Sequence, residues 1–206
     1  MTRYRWVVSQ PEPPPETPPV PVGPWRRRSR ATAYANPWIE VVHDEVDRPD
    51  GSQGIYGVVR FCNVAVGVVA VDDAGRILLV GQHRYALDRY SWEIPEGGAP
   101  VGEEPEAGAR RELAEETGYE AASWRVIFRF SLSNSVTDET GVIFLATGLR
   151  AGVATPEPSE ALAVRWATLA GVLAEIDAGE IHDLMTIAGV ARYALGALEA
   201  AAPPRG

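Results

Sequence analysis

Residues 97–119 read GGAPVGEEPEAGARRELAEETGY, and their spacing decides how the rest of the chain is understood. Five residues separate Gly97 from Glu103, and seven separate Glu103 from Arg111; Glu112, Glu115, Glu116 and Gly118 follow at short fixed offsets. The stretch carries its own helix signals. Pro105 suits a first helical turn, where its missing N–H costs nothing, and Glu103, Glu104 and Glu106 place negative charge at the positive end of the helix dipole. A helix over 104–117 follows, with Gly118 supplying the left-handed residue that ends it.

On that helix Glu112 and Glu116 are separated by about 40° around the axis, and Glu115 lies about 60° from Glu112 on the other side. Three carboxylates thus share one face. Like charges at this spacing repel by a few tenths of a kcal/mol per pair, and Arg111 offsets only part of that. A hard divalent cation with oxygen ligands offsets more, so the face reads as a Mg2+ or Mn2+ site formed by Glu112, Glu115 and Glu116. The plainer alternative is a solvated acidic face, the usual meaning of a charge run. The glycines and arginine at their offsets then need a separate explanation.

The complete pattern, G-x5-E-x7-R-E-U-x-E-E-x-G-U with U apolar, runs from Gly97 to Tyr119 without a gap or substitution and resembles the Nudix box. The resemblance implies a metal-dependent hydrolase of nucleoside diphosphates linked to another moiety. It implies that Glu112, Glu115 and Glu116 bind the metal, with Glu112 and Glu116 central to catalysis, and that the carbonyl of Glu96 adds a ligand. Residues 92–98 are expected as a strand leading into a loop, with Gly97 and Gly98 in a turn that lets the backbone approach the metal.

Composition narrows the partners. The net charge of −9 argues against nucleic acid or an anionic membrane, because binding phosphates needs a basic surface. Cation-mediated hydrolysis of a small nucleotide escapes that objection. All 19 basic residues are arginine, which removes the lysine of a P-loop and any Schiff-base lysine. The single cysteine, Cys62, cannot form an internal disulfide and reads as a core filler, in keeping with a reducing cytoplasm. His43, His83 and His182 show no metal-ligand spacing. No run reaches the length of a membrane span, and residues near the N-terminus lack the apolar core of a signal peptide.

Along the chain, residues 1–35 are expected to form an unpacked Pro/Arg-rich arm. Residues 9–24 are too proline-rich for a packed element, and Arg26, Arg27, Arg28 and Arg30 read as a solvated run rather than an arm on an acidic neighbour. Strands are expected at 38–46, 56–61, 64–71, 76–81, 124–132, 142–149 and 163–166, and helices at 169–178 and 181–198. The last helix has a stripe of Ile181, Leu184, Ile187, Ala191, Ala194 and Leu198. This order is an α/β fold with a mixed sheet between helices. It resembles the Nudix α/β/α sandwich over 62–206, preceded at 36–61 by a small β subdomain like that of the ADP-ribose pyrophosphatase branch, where it pairs two subunits. A homodimer is the corresponding expectation.

The same branch implies that Arg84 contacts the substrate diphosphate, with a surface salt bridge as the alternative. Glu93 and Trp38 are further candidates for substrate contact, Trp38 by stacking on a base. Glu139, in the polar loop 131–140, matches the branch's general base. That loop keeps Thr137-Asp138-Glu139 but has Ser133-Asn134-Ser135 where the branch carries a proline and a glycine. The departure keeps several substrates open: ADP-ribose, yielding AMP and ribose 5-phosphate, or another linked nucleoside diphosphate such as GDP-mannose or a dinucleoside polyphosphate. A non-catalytic nucleotide-sugar sensor is the reading from a different class.

Overall fold

A computed structural model describes residues 18–156 and 161–201. Its first four strands, Val20–Val22 (β1), Trp25–Ala35 (β2), Ile39–Asp47 (β3) and Gln53–Phe61 (β4), form an antiparallel sheet in chain order. The unpacked arm expected through residue 35 therefore needs correction for its described part; residues 1–17 lie outside the described residues. The reason is charge pairing between neighbouring strands. Arg30 donates to both oxygens of Asp44 at 2.7 and 2.8 Å, and Arg28 pairs with Glu45 and Asp47, each at 3.2 Å. The acidic neighbour of the arginine run is the next strand of the same chain.

The remainder comprises Asn63–Ala70 (β5), Arg76–Arg84 (β6), Arg89–Glu93 (β7), Glu96–Pro100 (β8), Pro105–Thr117 (α1), Tyr119–Ser131 (β9), Thr140–Ala151 (β10), Ala163–Thr168 (β11), Leu169–Asp177 (α2) and Leu184–Ala201 (α3). A mixed sheet in the order β8-β5-β10-β9 lies at the centre, with β5 and β10 parallel and the outer pairs antiparallel. A second sheet, β11-β6-β7, is antiparallel throughout.

Burial of β5 on both faces explains its near-continuous apolar sequence. Val66, Val68 and Ala70 pack with Ala109 and Leu113 of α1, whereas Val69 and Val71 pack with Val172, Met185 and Val190 from α2 and α3. Helices on opposite faces of one mixed sheet make the α/β/α sandwich that the sequence led us to expect. Cys62 is half-buried in the connection from β4 to β5 rather than in the core.

α3 departs from expectation by a few residues. Asp183 accepts the Thr186 N–H at 2.6 Å and caps the helix there, so the helix begins at Leu184. Leu184 is 55% exposed, and the buried stripe is Met185, Thr186, Gly189 and Val190; Leu198 lies beyond the described side chains. Thr186 is fully buried because its hydroxyl accepts the Ile94 N–H at 2.9 Å, which ties α3 to the link between β7 and β8.

Candidate active site

α1 has the predicted ends. Pro105 occupies the first turn, and Gly118, at φ 74°, returns its N–H to the carbonyl of Ala114. Small residues on its inner face bring it against β8: a Cβ on Gly108 would lie 2.9 Å from Ala99 Cβ and 3.2 Å from Ala99 Cα. This close approach is what delivers the carboxylates of α1 to the backbone of β8. The Gly98 N–H points to Glu112 Oε1 at 3.3 Å, and the Glu96 N–H to Glu116 Oε2 at 3.2 Å.

Gly97 and Gly98 lie within β8, paired with Val66 and Ala65, rather than in the expected turn. Their lack of a side chain serves packing. A Cβ on Gly97 would lie 2.6 Å from Glu112 Oε2 and closer still to its Cδ and Oε1, while one on Gly98 would meet Asn63 Nδ2 at 2.5 Å.

Arg111 organises the carboxylates from one side. It donates to Glu112 at 2.9 Å, Glu115 at 3.0 Å, the Gly98 carbonyl at 2.9 Å and Glu103 at 3.3 Å. Burial lowers its guanidinium pKa, but the hydrogen bond it donates to Glu103 and the Glu112 charge outweigh this and raise it. Burial pushes the Glu112 carboxyl above its ordinary value, with Arg111 opposing.

Glu96, Glu112, Glu115 and Glu116 line a single cleft of about 800 Å3, together with Arg84 and Trp38. Trp38 is 67% exposed. Glu93 is not part of this lining. Both its oxygens accept from Arg84 Nε at 3.0 Å, and Oε2 accepts from Nη2 at 2.5 Å. Arg84 Nη2 also donates to Glu96 at 2.7 Å, so the salt-bridge alternative for Arg84 describes its contacts here. Burial lowers the Arg84 pKa, but the Glu93 hydrogen bond and the charges of Glu96 and Glu93 raise it overall. Burial, followed by the charges of Asp183 and Glu93, drives the Glu96 carboxyl well above its ordinary value.

Glu139 also lies outside the cleft lining. Its loop is docked on β4: the Val59 N–H donates to the Val136 carbonyl at 2.9 Å, the Phe61 N–H to Asp138 Oδ1 at 2.8 Å, and the Tyr56 hydroxyl to the Ser135 carbonyl at 2.6 Å. Burial raises the Glu139 carboxyl pKa.

The chemistry of the donor set fits a divalent cation of the Mg2+ type. Three carboxylates crowd one helix face, the glycine at 97 leaves room for one of them, and Glu96 Oε2 is buried without a hydrogen-bond partner among the described residues. Sequence reasoning missed Glu103 and Asn63 as walls of the cleft and Asp183 as a neighbour of Glu93 and Glu96. Asp183 did carry one signal, an aspartate just ahead of an apolar helical run.

A helix-presented carboxylate cluster on an α/β/α sandwich is the arrangement of a Nudix hydrolase. The chain belongs to that family: residues 63–186 match the NUDIX domain, and residues 25–59 match the nucleoside diphosphate sugar hydrolase N-terminal domain. It is 36% identical over 166 residues to the ADP-ribose pyrophosphatase of Mycobacterium tuberculosis (strain ATCC 25618 / H37Rv), covering 79% of each chain. To the ADP-ribose pyrophosphatase of Bacillus subtilis (strain 168) it is 37% identical over 150 residues, covering 72% of this chain and 80% of that one. The crystal structure of an ADP compounds hydrolase shares the fold at a TM-score of 0.73 and 18% identity, over 80% of this chain and 89% of that one. No helix among the described residues is long and apolar enough to cross a membrane.

Proposed function

We propose that this Nudix hydrolase cleaves the diphosphate bond of a nucleoside diphosphate sugar, with ADP-ribose as substrate and AMP and ribose 5-phosphate as products. The observation that carries the reading is the convergence of Glu112, Glu115 and Glu116 with Arg84 and Trp38 in one cleft. The ADP-ribose pyrophosphatases among its relatives support the choice of substrate.

In this mechanism water attacks one phosphorus, the bridging P–O bond breaks, and two phosphate monoesters leave. Glu112, Glu115 and Glu116 would hold Mg2+ or Mn2+, with the Glu96 carbonyl as a further ligand; such ions, when bound, polarise phosphoryl oxygens and acidify the attacking water. Arg111 holds Glu112 and Glu115 in place before substrate arrives. Arg84 presents its guanidinium to a diphosphate oxygen, and Glu93 keeps that guanidinium oriented. Trp38 offers an exposed ring on which the base stacks. Glu139 takes the proton from water, and its raised pKa suits a proton acceptor. To reach the cleft, its loop must leave β4.

Exposed Val20, Val22, Tyr34 and Ile55 on the N-terminal sheet support pairing of two copies through it. The unpaired Cys62 fits a cytoplasmic protein.

The test is hydrolysis of ADP-ribose, GDP-mannose, UDP-glucose and diadenosine polyphosphates with Mg2+ or Mn2+, comparing wild type with Glu116→Gln and Glu139→Gln. Preferred turnover of ADP-ribose, lost in both variants, is the expected result. Preference for another compound would reassign the substrate, and turnover of none would favour a sensor. Full activity of Glu139→Gln would remove it as the base.

A further inference from the structure

We infer that a cavity on the α3 face of the central sheet is a binding site for an organic phosphate, with Arg125 and Arg192 receiving the phosphate group. It has a volume of about 290 Å3, lies between the last turns of α3 and strands β9 and β10, and shares no lining residue with the carboxylate cleft. Ile127, Leu145 and Tyr193 on its walls pack against the core cluster of α2 and α3, whereas α1 packs on the opposite face of the sheet.

Charge is the first observation. Most described arginines pair with a carboxylate, as Arg30 does with Asp44 and Arg165 with Glu175. Arg125 and the half-buried Arg192 have neither an ion pair nor a hydrogen bond among the described residues, and no described residue of the cavity wall is acidic. In a chain of net charge −9, two guanidiniums left without acids beside an apolar floor make a local site for an anion. Their planar forks suit phosphate oxygens, and Tyr193 adds a hydroxyl and a ring.

Two features of the backbone shape this space. The pairing of β9 with β10 shifts register at Ile143 and Phe144, so Ile127 has no partner on β10; such a bulge re-aims a side chain, here into the cavity wall with Arg125. Gly196 lies inside α3, where glycine destabilises a helix relative to alanine. Gly189 of the same helix has a packing reason, because a Cβ there would lie 3.0 Å from Val69 and 3.2 Å from Ile143. Near a Cβ on Gly196, among the described residues, stands the Arg192 side chain alone, with Nη1 at 4.0 Å. The missing side chain therefore preserves room in front of that guanidinium. A phosphate carrying a base or a sugar would cover Ile127 and Leu145 while its oxygens meet the arginines, which a bare inorganic ion would not.

Isothermal titration of the full chain in EDTA tests the site, because without a divalent ion the glutamates of the cleft repel phosphate. AMP, ribose 5-phosphate and inorganic phosphate are the probes, with adenosine as the uncharged control. The expected result is a single site that binds an organic phosphate more tightly than inorganic phosphate or adenosine. Loss of a charge-assisted hydrogen bond corresponds to about a tenfold rise in Kd, so Arg125→Gln and Arg192→Gln should each weaken binding by about that factor or more. Gly196→Leu should abolish binding without lowering the midpoint of thermal unfolding, since leucine favours the helix. Tighter binding of AMP would identify a nucleotide as occupant and tighter binding of ribose 5-phosphate a sugar phosphate, and both support the site. Failure of both organic phosphates to bind, equal affinity for inorganic phosphate or adenosine, or binding unchanged in all three variants overturns it. If one variant does not fold, the other two decide.

Discussion

Gly97→Ala separates the packing of the site from the stability of the fold. Gly97 lies within β8 and has no positive φ, so its backbone accepts alanine. The added methyl, however, would stand 2.6 Å from Glu112 Oε2 and nearer to the rest of that carboxylate. Ordinary contact requires the carboxylate to retreat by about 1 Å. The displaced group is the far end of a flexible side chain with 15% of its surface exposed, so the fold can yield there at little cost. Its anchors cannot follow: Oε1 is held by Arg111 at 2.9 Å and faces the Gly98 N–H at 3.3 Å. A misplacement of about 1 Å at a reacting centre costs about a hundredfold in rate. The expected result is a kcat/KM for the preferred nucleotide substrate about a hundredfold lower, with a midpoint of thermal unfolding within about 3 °C of wild type, or roughly 1 kcal/mol for a chain of this size. Activity within about twofold of wild type would refute the placement of Glu112 as the residue that needs this glycine. A large loss of stability would refute the claim that only the carboxylate moves.

Gly118→Ala acts on backbone instead. At φ 74°, with its Cβ 2.6 Å from the Ala154 nitrogen, it should destabilise the chain by about 1–3 kcal/mol in a denaturant titration. Leu113→Ala empties a fully buried position between α1 and β5 and should cost about 2–5 kcal/mol by the same measurement. Asp44 carries the pH dependence of the N-terminal sheet: the Arg30 hydrogen bond holds its carboxyl below the ordinary value, against burial. Because the folded pKa is the lower one, this stabilisation is present above the unfolded value and is lost as pH falls through the folded value. Asp44→Asn should cost about 1–3 kcal/mol at neutral pH and flatten the acid limb of stability against pH, measured by urea titration at a series of pH values.

What the sequence determined by itself was local. The ends of α1 follow from Pro105 and Gly118, and the sharing of one face by Glu112, Glu115 and Glu116 follows from 3.6 residues per turn, because these signals act within a few residues. The apolar run of β5 announced a strand for the same reason, while its burial on both faces came only with the packing of α1 on one side and α2 and α3 on the other. Tertiary structure alone decided which distant groups meet. It set Gly97 and Gly98 in a strand under α1, turned Arg84 onto Glu93 and Glu96, and docked the Glu139 loop on β4. It also paired the arginines of β2 with the acids of β3 and brought Asp183, capping α3, beside Glu96. A charged side chain carries no periodicity that names its partner. Which acid an arginine finds is settled by strand register and helix docking, and those depend on burial summed over the whole core.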